Sequence, residues 1–148
     1  MDRPELNSDL VRLVRSRSAS HIVDLSGTEH NDAAIYTLSD PREIRVVRYV
    51  GQTACPRRRF LQHLAAARLW LPDEIPWWIK RPEMRSLYQW IRELYLDERR
   101  LPLMVVTAWA QAADALAQER ALICEHLRRE SPLLNRESET FKRQPILI

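Results

Sequence analysis

The chain has 148 residues, of which 45% are hydrophobic and 29% charged, and a formal net charge of +3 at pH 7. This is long enough for one domain with a real core and ordinary for a soluble globular protein. No apolar run is long enough to cross a membrane, and the polar, mildly acidic start is unlike a secretory signal, so we expect a cytoplasmic protein. Cys55 and Cys124 stand far apart with no C-x-x-C pair, which argues against zinc and against a disulfide framework.

The basic residues are unusual in type, because only Lys80 and Lys142 among the 23 are lysines. Arginine binds phosphate in a bidentate fork. A GC-rich genome, which favours arginine codons, explains the same bias. The small net charge still permits a local basic patch for nucleic acid.

The first half of the chain predicts a helix, a loop and a β-hairpin. Apolar residues on one side and arginines on the other predict a short helix over 8–17, and the polar stretch 24–32 predicts a loop. The segments "AAIYTL" and "EIRVVRYV" flank the turn sequence "SDPR" and predict an antiparallel hairpin. Strand alternation in the second arm places Val47 and Tyr49 on one face and Val50 on the other.

The second half predicts three helices and one strand. Proline at a first turn and three- and four-residue apolar spacing predict helices over 56–70, 83–98 and about 111–129. The continuous apolar run over 101–109 predicts a buried strand. A proline-bounded, tryptophan-rich connection occupies 75–82.

This order of elements predicts a small mixed α/β (α+β) domain. Its sheet is expected to have three antiparallel strands flanked by helices. We expect that domain, with a short C-terminal tail, over 31–148, and an N-terminal helical extension and loop over 1–30.

Three polar side chains stand where the helical pattern does not require them. Glu119 falls inside the apolar stripe of the last helix, three residues after Leu116 and four before Ile123. A buried carboxylate must be paired, bind a metal ion or face a cavity, so an ion pair with an arginine is the alternative to a functional role. Arg59 and His63 are four residues apart on the arginine-rich helix predicted over 56–70 and therefore point the same way.

Two tyrosines and one asparagine complete a chemically coherent set. Tyr36 and Tyr49 lie on the two hairpin arms, where cross-strand packing is the alternative explanation. Asn135 follows the last helix, where helix-end or turn chemistry is the alternative. Phosphodiester hydrolysis needs a base for water, a cation on the phosphate and a metal ion for the leaving oxygen, and these residue types supply them.

The order and spacing of these residues resemble the GIY-YIG nuclease family. The first signature looks like "AIY" (34–36) and the second like "YVG" (49–51); the arginine and the histidine follow in "RRRFLQH". The resemblance covers roughly 33–135 and includes the glutamate helix and a closing asparagine. It departs from the family at Ala34, where the family has glycine, and at Val50, where it has isoleucine.

The resemblance implies a divalent-metal-dependent endonuclease, a hydrolase acting on phosphodiester bonds in DNA. Glu119 would hold one Mg²⁺ (or Mn²⁺), which accepts one carboxylate together with substrate oxygens and waters. Arg59 would bind a phosphate oxygen. Tyr36 would be the general base, Tyr49 would hydrogen-bond the water or the phosphate, and His63 would orient a tyrosine or relay its proton.

Further residues receive supporting roles from the same resemblance. Gly51, one of only two glycines, would let backbone and substrate approach closely where the sheet meets the site, and Asn135 would brace the site. Arg57, Arg58 and Arg68 are candidate DNA contacts through phosphate.

Two other functions compete with the nuclease. The same fold can act as a DNA-binding module that recognises DNA structure without cleaving it, and the aromatics and long helix can bury against a partner in a protein of structural role. In the nuclease itself no DNA-reading module is recognisable, so DNA specificity would come from loops, from residues 1–30, from homodimerisation or from a partner protein. The tryptophans of 75–82 would stack on a base or simply pack in the core.

Overall fold

A computed structural model of the chain describes residues 21–27, 29–67 and 84–135. The helix predicted over 8–17, the tryptophan-rich connection over 75–82 and Arg68 lie outside the described residues. None of the helices that are described is long and apolar enough to cross a membrane.

The sheet has four strands in the order β1-β4-β2-β3. The strands are β1 (Ile22–Asp24), β2 (Ala33–Asp40), β3 (Glu43–Thr53) and β4 (Leu103–Ala110). The predicted hairpin and the predicted buried strand are confirmed, and they pair antiparallel. The expectation of three antiparallel strands is wrong, because β1 adds a fourth strand that pairs parallel with β4. A strand of three residues is too short to show a period of two, so only its tertiary pairing reveals it. It also lies within the stretch 1–30 that the sequence assigned to an extension.

Three helices flank the sheet in the part of the chain that is described. They are α1 (Pro56–Ala66), α2 (Arg85–Glu98) and α3 (Ala112–Arg128). Each begins close to its predicted residue. Pro56 occupies the first turn of α1, where its missing N–H costs nothing. The Asp32 carboxylate accepts a hydrogen bond of 3.0 Å from the Ala112 N–H and thereby satisfies one of the unpaired donors at the start of α3.

The two faces of the sheet have separate cores. Alternate residues of β2, Ala34, Tyr36 and Leu38, pack with α1 and α2, whereas Ala33 and Ile35 point to α3 and contact its side. Helices cover both faces of a mixed sheet, so the α+β class of the domain is confirmed.

A β-bulge in β3 changes which side chains share a face. Leu38 pairs with Tyr49 but Ser39 pairs with Val47, so Arg48 is the extra residue. The predicted sharing of a face by Val47 and Tyr49 is therefore wrong. Val47 packs with Val50 and α3, and Tyr49 packs on the opposite side with α1 and α2.

Candidate functional site

The site is built around Gly51, the residue that lies beside Tyr36 in the β2–β3 ladder. A Cβ atom at Gly51 would lie 2.6 Å from the Tyr36 hydroxyl oxygen and 2.9 Å from Cε2 of Tyr49. The two phenol rings are 6.2 Å apart between centroids. The space that glycine leaves open is therefore filled by the two tyrosine rings, and not by room for substrate as the sequence suggested.

His63 reaches these rings from α1. Its Nε2 atom lies 2.7 Å from the Tyr36 hydroxyl oxygen, and the Tyr49 ring meets the imidazole edge-on with centroids 5.5 Å apart. Tyr36 is 0% exposed and His63 is 1% exposed. Burial, helped by the neighbouring Tyr49, raises the pKa of Tyr36 well above its usual range despite the opposing effect of Arg59. The phenol is therefore held in its neutral form.

Arg59 lies one helical turn before His63 and borders the same group. Its guanidinium donates to Gln62 Oε1 at 3.3 Å and points a second nitrogen at Met84 Sδ, 3.9 Å away. Burial alone would lower the pKa of Arg59, but its interactions with Tyr36 and Tyr49 outweigh that effect and raise it. A fixed positive charge therefore lies beside the phenols.

Glu119 approaches from α3. It is partly buried and lies four residues from two buried positions, Ala115 and Ile123. Its charge contributes to the raised pKa of Tyr36, so the carboxylate lies within electrostatic reach of the phenol. The predicted stripe is confirmed at Ala115 and Ile123 but is wrong at Leu116, which is 52% exposed.

Asn135 is bound to the strand that carries Tyr49. Its side-chain amide accepts from the Val50 N–H at 2.9 Å and donates to the Val50 carbonyl at 2.8 Å. The neighbouring Leu134 N–H donates to the Arg48 carbonyl at 2.6 Å. This segment therefore covers part of the outer edge of β3 and holds it at the level of the site.

Two buried residues of the site have no counterpart in the sequence-based set. The Tyr88 hydroxyl donates to Met84 Sδ at 3.4 Å, and Tyr88 also helps to raise the pKa of Arg59. Met84, Leu87, Tyr88 and Ile91 follow the three- and four-residue spacing of a buried helix face. The sequence signalled these residues only through that spacing. The spacing predicts burial, but it does not show which buried residues contact Arg59.

The structure thus brings four of the predicted residues together in one group. The Glu119 carboxylate lies within electrostatic reach of this group, and Asn135 is hydrogen-bonded to Val50, the residue before Gly51. The group of four is Tyr36, Tyr49, Arg59 and His63. Arg57 and Arg58 are exposed on the first turn of α1.

A metal ion would have to rely on few protein ligands here. Within the described ranges, no group of three or more histidine, cysteine, aspartate or glutamate side chains could hold one. A single partly exposed carboxylate, Glu119, fits Mg²⁺, which retains waters and takes phosphate oxygens as its other ligands. It does not fit a closed site of zinc type.

Comparison with known proteins adds no relative. No family model, no curated protein and no solved structure matches the chain.

Proposed function

We propose that this protein is a divalent-metal-dependent endonuclease that hydrolyses phosphodiester bonds in DNA, with the architecture of the GIY-YIG nucleases. The observation that carries the proposal is the convergence of two phenols, an imidazole and a guanidinium on one glycine. These groups come from two paired strands and from the helix that follows them. Core packing alone has no need of an arginine and a histidine there.

Phosphate binding is the role that suits Arg59. Its guanidinium is half-buried and held by Gln62, so little side-chain freedom is lost when it meets a phosphate oxygen. A fixed cation in a partly dehydrated site stabilises the negative charge that develops on the phosphorane oxygens. The exposed Arg57 and Arg58 would contact phosphates on either side of the bond that is cut.

Water activation is a better role for Tyr49 than for Tyr36. The Tyr36 hydroxyl is fully buried and bonded to His63, so it does not meet a nucleophilic water in this arrangement. Tyr49 is only partly buried and lies beside the same imidazole. This exchanges the two tyrosine roles that the resemblance suggested, and it makes Tyr36 and His63 a pair that positions Tyr49.

Glu119 is the residue that would hold the metal ion, which when bound stabilises charge on the scissile phosphate and the leaving 3′ oxygen. Its partly exposed position on α3 leaves room for waters and for substrate oxygens. The departure from the family at Ala34 removes no polar group from the site, and Ala34 is wholly buried in the same core cluster as Tyr36.

The complete burial of Tyr36 also favours a second candidate function. A tyrosine that only supports the sheet is what a DNA-binding module without cleavage would retain. The two functions predict the same DNA surface and differ only in turnover.

Nicking of supercoiled plasmid DNA separates the candidates. The parent is compared with Glu119→Gln, in magnesium and in chelator, and Glu125→Gln on the same helix is the matched control. Nicking that requires magnesium, is lost in Glu119→Gln and is kept in Glu125→Gln supports the nuclease. Binding of plasmid by all variants without nicking supports the binding module. Equal nicking by parent and Glu119→Gln contradicts the assignment of Glu119.

A further inference from the structure

A second aromatic arrangement lies outside the group around Gly51. The His30 imidazole is stacked on the Trp109 indole, with ring centroids 4.2 Å apart and 20° between the planes. The His30 side chain is 77% exposed, so one face of the imidazole lies on the indole and the rest is left to solvent.

Asp24 orients the indole through a hydrogen bond and lies beside the imidazole that is stacked on it. Its Oδ2 atom accepts from Trp109 Nε1 at 2.9 Å and lies 3.8 Å from His30 Nε2. Its Oδ1 atom accepts from the backbone N–H of Ser26 at 2.9 Å and from the Ser26 hydroxyl at 2.5 Å. The carboxylate, the indole and the imidazole are thus held in place before any ligand arrives.

The loop itself does not depend on His30. Asp32, two residues on, anchors the loop by capping the start of α3 through the Ala112 N–H. The hydrogen bonds of Asp24 secure its other end. The stacked imidazole therefore contributes an aromatic surface more than it contributes to the loop's structure.

This surface lies at the same end of the sheet as the start of α1. Trp109 pairs with Ala34, which pairs on its other side with Thr53, and α1 begins three residues after Thr53. Trp109 packs on the sheet face that carries Tyr36. Two strand spacings separate the backbones of Trp109 and Thr53 by about 10 Å.

We propose that His30 and Trp109 form a stacking platform for one unpaired base of the DNA strand that is cut at the neighbouring site; this inference rests on the proposed function. The base lies on the outer face of the imidazole, so that His30 is enclosed between the base and Trp109. Stacking of this kind tolerates any base, because every base has a π-face.

Charge sets the direction of the strand across this surface. The Asp24 carboxylate beside the platform repels phosphate, whereas Arg57 and Arg58 attract it from the start of α1. The sugar–phosphate backbone therefore runs along the α1 side and turns its base toward His30. This arrangement selects DNA with an unpaired base near the cut, such as a flap, a gap or a branch.

The experiment measures how much one missing base weakens binding. Short single-stranded DNA oligonucleotides, each with one abasic position, are titrated in chelator so that no strand is cut. The parent is compared with His30→Phe, which keeps an aromatic face, and with His30→Leu, which covers Trp109 without one. Glu29→Gln, an exposed neighbour in the same loop, is the control.

For the parent, His30→Phe and Glu29→Gln, an abasic site at one position is expected to weaken binding about fivefold or more. For His30→Leu, the intact oligonucleotide should bind more weakly by a similar factor, and the abasic site should cost nothing further. The same abasic penalty in His30→Leu as in the parent, or none in any protein, would overturn the platform. If the platform is overturned but the plasmid assay shows magnesium-dependent nicking, the proposed nuclease function stands without the stacking platform. Failure of every variant to bind DNA would overturn both.

Discussion

The Tyr36 hydroxyl group and His63 Nε2 are joined by a hydrogen bond of 2.7 Å between two side chains that solvent barely touches. One partner comes from the second strand of the sheet and the other from the first helix of the domain that is described. Burying two polar groups is costly unless they satisfy each other. The bond therefore fixes the position of α1 against the sheet, and with it the position of Arg59 on the same helix.

The two tyrosines should differ in their effect on the pH–rate profile. Tyr49→Phe is expected to lower kcat about a hundredfold or more, because a general base contributes at least that much, and to remove the rise in rate with pH. Tyr36→Phe should lower the rate less and keep the shape of the profile. A flattened profile in Tyr36→Phe with a normal one in Tyr49→Phe would restore Tyr36 as the base.

Tyr36 should make the folded state sensitive to alkali. Burial raises its pKa in the folded protein above the unfolded value of about 10, so the unfolded chain loses this proton first as the pH rises. The stabilisation is complete below about pH 10 and declines above it. Urea denaturation between about pH 9 and 11 should show a steeper loss of stability for the parent than for Tyr36→Phe. Tyr95→Phe, on the partly exposed side of α2, is the control; equal slopes for parent and Tyr36→Phe would contradict the expectation.

Gly51→Ala should damage stability and activity together. The new methyl group would lie 2.6 Å from the Tyr36 ring, and overpacking of this kind costs about 1–3 kcal/mol. Gly27→Ala is an instructive control, since nothing lies within 4 Å of its Cβ position but its φ is +66°. It should cost about 1 kcal/mol through backbone strain and leave nicking unchanged. The measurements are thermal unfolding and the plasmid assay, and full activity in Gly51→Ala would show that the rings can move apart freely.

Asn135→Ala should destabilise the edge of β3. It removes both hydrogen bonds to the Val50 backbone and leaves a buried donor and acceptor without those partners, at a cost of about 2 kcal/mol or more. Asn31→Ala, which loses one exposed hydrogen bond to Asp32, should cost far less. Urea unfolding of both variants measures the difference, and equal losses would mean that water replaces the Asn135 amide.

Arg57→Gln and Arg58→Gln should weaken DNA binding for all sequences alike. Each neutralised phosphate contact is expected to reduce the slope of log affinity against log salt by about 0.7–0.9. Arg100→Gln is the matched control, because Arg100 is exposed and precedes β4, whose first residue Leu103 pairs with Ser39 at the other end of the sheet. Titrations at several salt concentrations give the slopes; an unchanged slope would remove both arginines from the interface.

Much of the fold is readable in the chain because its elements carry strong local signals. The apolar spacing of α2, the turn sequence "SDPR" and the run "LPLMVVTAW" each specify one structure without help from the rest. The order of the candidate residues also indicated that Tyr36, Tyr49, Arg59 and His63 would meet, and they do. Hairpin pairing and a turn of helix between Arg59 and His63 are local geometry, which a sequence can encode by spacing alone.

Other features depend on contacts between distant segments and could not be read in advance. β1 is a strand only because it pairs with the edge of β4. Val47 and Tyr49 lie on opposite faces of the sheet only because a bulge inserts Arg48 between them. The exposure of the two tyrosines depends on how the helices pack on the sheet, and this exchanges their proposed roles. The stack of His30 on Trp109 joins two residues that are far apart along the chain. The spacing of apolar residues predicts which face of a helix or strand a residue lies on. Its burial and its contacts depend on how all the elements pack together.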